Sequence, residues 1–128
     1  VGGEYFPHQL HSYAQMLALG AVDAIKPAID MGGITEMIKL AQLTFSFGAT
    51  LHVSAHSHMW GFSSINVNGA IANGSILEVH PPFEAHTNPA IKNPLRLSDG
   101  HVAMPESPGL GVDLDWDTIE NMTTEIIE

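Results

Sequence analysis

Seven side chains capable of chemistry stand at or near the ends of short apolar stretches: Glu4, Lys26, Asp30, His52, His56, His58 and Glu78. A carboxylate such as Glu4 suits a hard divalent cation such as Mg2+, which takes oxygen ligands in octahedral geometry. A histidine beside an Asp or Glu works as a general acid or base near neutral pH, with the carboxylate orienting the ring. Glu78, protonated in a closed site, can donate to a developing oxyanion. Each residue also has a plainer reading. Glu4 alone reads as a solvated carboxylate, and Lys26 with Asp30 as a rim ion pair of little worth. His52, deepest in its strand, reads as a satisfied interior histidine. His56 and His58 stand nearer the strand end and are the stronger candidates for catalysis. The spacing His-x-x-x-His-x-His also admits Zn2+, but in an extended strand His52 and His56 are about 13 Å apart, too far to share one ion.

These residues need elements to hold them. In Thr50–His58, Leu51, Val53 and Ala55 alternate with Thr50, His52, Ser54, His56 and His58. That period of two marks a strand with one apolar and one polar face. A shorter strand, 24–29, puts Ile25, Pro27 and Ile29 on one face and Lys26, Ala28 and Asp30 on the other. A third, 76–80, carries Glu78 with Ile76 and His80, and residues 1–4 read as a strand end. Helical spacing predicts helices over 8–19, 34–47 and 63–72, ended by Gly20, Gly48 and Asn73-Gly74, with 59–62 as a loop. Leu95, Leu97, Val102 and Met104 flank Ser98-Asp99-Gly100, a hairpin signal. A last helix is expected over 117–127, capped by Asp115 or Asp117. Alternating strands and helices imply βαβ units and a parallel sheet, either doubly wound or part of a (β/α)8 barrel.

Bulk composition bounds the partners. The chain has 128 residues, enough for one domain, and 45% hydrophobic content supports a folded core. A net charge of −10 with four Lys and Arg argues against nucleic acid and against an anionic membrane surface. There is no cysteine, hence no disulfide framework or thiolate metal site. No run of about 18 apolar residues occurs, so no transmembrane helix is expected. A start at Val1 without an initiator methionine suggests a processed or truncated chain.

Gly32-Gly33-Ile34-Thr35-Glu36, opening an amphipathic helix that ends in Phe47-Gly48, resembles the enolase superfamily in its mandelate racemase and muconate lactonising enzyme branch. Other segments are similar in order and spacing: V-G-G-E at 1–4, G-A-V-D-A-I-K-P at 20–27, A-I-A-N-G-S-I-L-E at 70–78 and the tail at 93–115. The resemblance implies strands five to eight of a (β/α)8 TIM barrel over residues 1–92, with 93–128 returning toward a small capping domain. It implies a Mg2+-dependent enzyme that removes the proton alpha to a carboxylate. A hydroxylated, sugar-acid substrate is favoured by the His, Ser and Asn content of the strand faces, hence a dehydratase. A racemase or epimerase of the same superfamily and a non-catalytic histidine-rich metal-binding module are the alternatives. By position, Glu4 matches a metal-ligand carboxylate and Glu78 the acid that hydrogen-bonds the substrate carboxylate. The family's Pro-Asp on strand six reads Pro27-Ala28 here, so Asp30, of the same parity, is the substitute. The strand-seven histidine slot, six residues beyond Gly48, holds Ser54; either the catalytic role passes to His58 or His56, or a lysine from an earlier strand is the base. Lys26, His52 and Ser54 are then substrate-binding residues. The resemblance also implies a cytoplasmic homo-oligomer. Four strands of a barrel are expected to be a fragment, or one of two chains that complete it with the N-terminal remainder.

Overall fold

The computed structural model describes residues 2–3, 9–55, 59–74, 76–79 and 88–125. Short parallel strands alternate with helices in chain order: β1 (Gly2–Gly3), α1 (Leu10–Ala18), β2 (Ala24–Ile25), α2 (Gly33–Ser46), β3 (Thr50–Leu51), β4 (Ser54–Ala55), α3 (Met59–Ala70) and β5 (Glu78–Val79). β3 and β4 are two pieces of one strand. His52 N donates to Ile25 O at 2.9 Å and Ser54 N to Pro27 O at 3.1 Å, so the ladder to the preceding strand runs on between them. Its register holds from Ala24 opposite Thr50 to Ala28 opposite Ser54. On the other side Leu51 faces Gly74 and Ser54 faces Glu78. Three steps along one strand therefore meet four along the next, the count of a β-bulge.

The sheet order follows the chain order, and the core lies on one side of it. Tyr13 and Leu17 of α1, Met37, Leu40 and Ala41 of α2 and Val67 of α3 close over Ile25, Leu51 and Val53. A doubly wound sheet would reverse its order at a switch point and carry helices on both faces. Sequential order with helices on one face is instead part of a (β/α)8 barrel.

The glycines expected to stop α1 and α2 do so by a common mechanism. Gly20 has φ 61° and Gly48 has φ 71°, conformations that cost a residue without a Cβ little. Ala21 N reaches Met16 O at 3.0 Å and Ala49 N reaches Thr44 O at 2.9 Å, closing both ends as Schellman motifs. Each turn feeds the chain directly into the next strand.

The structure differs from the sequence reading at several boundaries. The strand expected over 24–29 gives way to a 3-10 turn at Ile29–Met31. The strand expected over 76–80 begins only at Glu78, with 76 and 77 outside it, and residue 80 lies outside the described residues. α3 begins at Met59, where a loop was expected, and buries Phe62 and Ile65. The final helix, α4, runs from Trp116 to Met122 and is capped by Asp115, whose Oδ1 accepts from Thr118 N at 3.3 Å.

After β5 the tail folds back. β6 (Leu97–Ser98) and β7 (His101–Val102) form the expected antiparallel hairpin. Ile91 pairs antiparallel with Leu114, Lys92 N donates to Asp113 O at 2.9 Å, and Asn93 locks the same ladder by donating to Gly111 O at 2.8 Å and accepting from Asp113 N at 2.7 Å. Asn66 of α3 donates to Leu110 O at 3.0 Å, joining the tail to the barrel layer. Among the described residues, no helix is long and apolar enough to cross a membrane.

Candidate active site

With odd-numbered strand residues turned toward the helices, the even-numbered ones form the opposite face. The register sets Lys26 beside His52, and Ala28, Ser54 and Glu78 in one row across three strands. This face would be the barrel lumen, and Glu78 stands toward the C-terminal ends of the strands, where barrel active sites are built.

Lys26 and Glu78 meet there. Lys26 Nζ lies 3.0 Å from Glu78 Oε1, and the two side chains are 25% and 27% exposed. The pair joins residues 52 positions apart and passes over the strand between them. The plainer sequence reading pairs Lys26 with Asp30 at the rim instead. Asp30 lies exposed in the 3-10 turn, where strand alternation has already ended at Ala28. The parity argument that carried Asp30 to the lumen therefore stops short of it.

His52 is half-buried, and its Nε2 shares a 3.0 Å hydrogen bond with Thr50 Oγ1 on the same face. That contact fixes the ring plane and agrees with an interior histidine whose polar edge is satisfied. Ser54 is fully buried, and its carbonyl accepts a 2.7 Å hydrogen bond from Ser64 Oγ, also fully buried. Ser64 was not singled out from the sequence. Its signal was only a small polar residue on a helix of small residues, a pattern that close packing explains equally well. The bond matters to the site because it ties α3 to the strand carrying His52 and Ser54.

Asn73 does the same work at the opposite end. Its Nδ2 donates to Thr44 Oγ1 at 2.8 Å and to Ala49 O at 3.0 Å, and its own carbonyl accepts from Leu51 N at 3.1 Å. The side chain thus ties the end of α2 to the entry of β3, and the backbone carbonyl ties the approach to β5 to β3. Glu4, His56 and His58 lie outside the described residues. Among the described residues no group of three or more His, Asp or Glu is placed to hold a metal ion.

The face can bind and orient a polar ligand. A lysine ammonium supplies donors, a carboxylate supplies acceptors, and His52 and Ser54 border them. Partial burial strengthens each of these contacts relative to water.

Comparison with known proteins agrees with this architecture. Residues 1–118 match the model of the family described as enolase C-terminal domain-like. The chain is 30% identical over 134 residues to D-galactarolactone cycloisomerase of Agrobacterium fabrum, a match covering 92% of this chain and 34% of that protein. It is 32% identical over 103 residues to D-xylonate dehydratase of Haloferax volcanii, covering 78% and 25% respectively. A mandelate racemase/muconate lactonizing enzyme from Jannaschia sp. CCS1, solved by crystallography, superposes with a TM-score of 0.76 at 28% identity, over 94% of this chain and 31% of that one. The chain thus spans about a third or less of the length of these relatives.

Proposed function

The chain belongs to the enolase C-terminal domain-like family, and from that premise we propose that it forms strands five to eight of an enzyme that removes the proton alpha to a substrate carboxylate, acting as a sugar-acid dehydratase. The observation that carries the reading is the polar sheet face, where Lys26 and Glu78 pair at 3.0 Å beside His52 and Ser54. A barrel strand face built for packing alone would be apolar. In a dehydration the Cα–H bond breaks and its proton passes to a base. The electron pair forms the carbon–carbon double bond, and the β-hydroxyl leaves as water after taking a proton. This chain's part is to bind and orient the acid and to protonate the leaving hydroxyl. Glu78, taking up a proton as the acid binds, would donate a hydrogen bond to the substrate carboxylate, His52 would contact its hydroxyls, and His58 or His56 would supply the proton; Ser54, fully buried, would support the strand rather than touch the ligand. Asp30, exposed in its turn, has no assigned step.

Glu4 would be this segment's ligand to Mg2+, an ion that, when bound, would stabilise negative charge developing on the substrate carboxylate. The remaining ligands, and the N-terminal remainder of the barrel, would be the partners this segment works with. A cytoplasmic location and a homo-oligomeric assembly belong to the same reading. The test is alpha-proton exchange in deuterium oxide, with Mg2+, across a panel of sugar acids and with the full-length protein. Exchange with loss of water and formation of a 2-keto-3-deoxy acid supports the dehydratase. An empty panel sinks the enzyme reading. The cycloisomerase relative, at 30% identity, favours a second reading within the superfamily: exchange with no change of mass other than the gain from deuterium would assign a racemase, epimerase or cycloisomerase.

A further inference from the structure

We propose that Lys26 is a positioning residue for Glu78, reaching from the sixth strand over the seventh to hold the carboxylate at the mouth of the lumen. This deepens the proposed function and rests on it for the role given to Glu78. Ala28, two residues beyond Lys26, shares a row with Ser54 and Glu78. Lys26 must therefore cross two strand spacings, roughly 10 Å, and climb one two-residue step of about 7 Å. A lysine stem meeting a glutamate can close that diagonal, whereas two short side chains cannot. The ammonium arrives from the deep side of the sheet, because Glu78 lies nearer the strand C-termini. Contact at Oε1 from below fixes the carboxylate plane while Glu78 still faces the end of the barrel where a substrate would enter.

The burial argues for a defined arrangement rather than a loose surface pair. Both side chains are about three-quarters covered. Exposed ion pairs are weak because water and side-chain entropy cancel most of the attraction. A covered pair is different: removing one partner strands the other charge where water solvates it poorly. Holding Glu78 in one geometry matters most in a reaction whose rate depends on the alignment of the substrate carboxylate.

The test is a double-variant cycle on the full-length protein, with Lys26→Met, Glu78→Gln and both together. Each single variant should lower kcat/KM by about 100-fold, the scale of a small misplacement at a reacting centre. The double variant should be no worse than either single one, and Lys26→Arg should recover activity to within about tenfold. Multiplying losses, or wild-type rates in Lys26→Met, would overturn the proposal. A second arm does not need turnover: the side-chain carboxyl carbon resonance of Glu78 should shift in Lys26→Met and return toward its original position in Lys26→Arg. An unmoved resonance overturns the proposal even if the enzyme is a dehydratase. If wild type turns over no acid sugar, the reaction reading fails, and this resonance still decides whether Lys26 positions Glu78. Should Lys26→Met not fold, the charge-free double variant restores a neutral pair. In Glu78→Gln, the side-chain amide resonance introduced by the substitution then reports whether Lys26 still contacts that position, and an amide indifferent to Lys26→Met counts against the proposal.

Discussion

A methyl group on Gly74 would lie 2.6 Å from Asn68 Oδ1 and 2.8 Å from both Asn68 O and Ile71 Cγ1. No Cβ tolerates such contacts, and one neighbour is backbone, so the strand itself must move. Gly74→Ala should cost about 1–3 kcal/mol as an overpacking substitution. The measurement is the urea midpoint at unchanged m-value. Because Gly74 pairs with Leu51 just before the bulge, the same change should disturb Glu78. Asp115 supports a prediction about pH. The hydrogen bond from Thr118 N is the main cause of a carboxyl pKa below the ordinary aspartate value, with a smaller contribution from Lys92. A depressed folded-state pKa gives a contribution that is present above the unfolded-state pKa and disappears as pH falls through the folded one. Acidification below the usual aspartate range should therefore loosen the first turn of α4. The Thr118 amide resonance reports it, and Asp115→Asn should flatten that dependence while keeping an acceptor for the cap.

Elements were legible in the sequence where the signal is local. Gly20 and Gly48 ended their helices as expected, because each left-handed position sits one residue after the last turn and needs only its own backbone to act. The strand core Ile25, Leu51 and Val53 followed from alternation, since burial of one face fixes register. Strand ends were not legible. Nothing in Ala28-Ile29-Asp30 marks a change from extended to 3-10 backbone, and the bulge before Glu78 depends on a pairing to the neighbouring strand. The helix starting at Met59 was missed because a Gly-containing, aromatic opening reads as loop until Phe62 finds its buried place. In the site, the polar face was visible from parity, but the Lys26–Glu78 partnership was not, since two residues 52 apart meet only through sheet order. Asn73 shows what such non-local bonds contribute. Asn73→Ala removes donors to Thr44 Oγ1 and Ala49 O and leaves two acceptors partly or wholly buried. A loss of about 2 kcal/mol in chemical denaturation is expected, against less than about 1 kcal/mol for a surface asparagine in the tail.

At the scale of the whole molecule, the sheet runs from β1 to β5, and among the described residues each of these two strands pairs on one side only. Unpaired strand edges are templates for association with another chain. The sequence carries a net charge of −10, which pushes copies apart. These two effects depend differently on salt. Charge repulsion between copies is screened over about 10 Å at 0.1 M ionic strength and about 3 Å at 1 M, whereas edge pairing and apolar contact are not weakened that way. The 128-residue segment prepared as a separate polypeptide should therefore be more monomeric in dilute buffer and should associate as salt is raised. It should also show at most weak Mg2+ binding, since the proposed reading gives the segment one carboxylate ligand, Glu4, and octahedral Mg2+ needs more than one such ligand to be held tightly. Sedimentation velocity across a salt series, with a Mg2+ titration at its low-salt end, checks both. The full-length protein, with strand partners supplied to both edges, should lose the salt-driven association while keeping its charge. A segment that stays monomeric at every ionic strength would mean that its edges are covered from within, and the reading of residues 1–92 as half of a barrel would have to be given up.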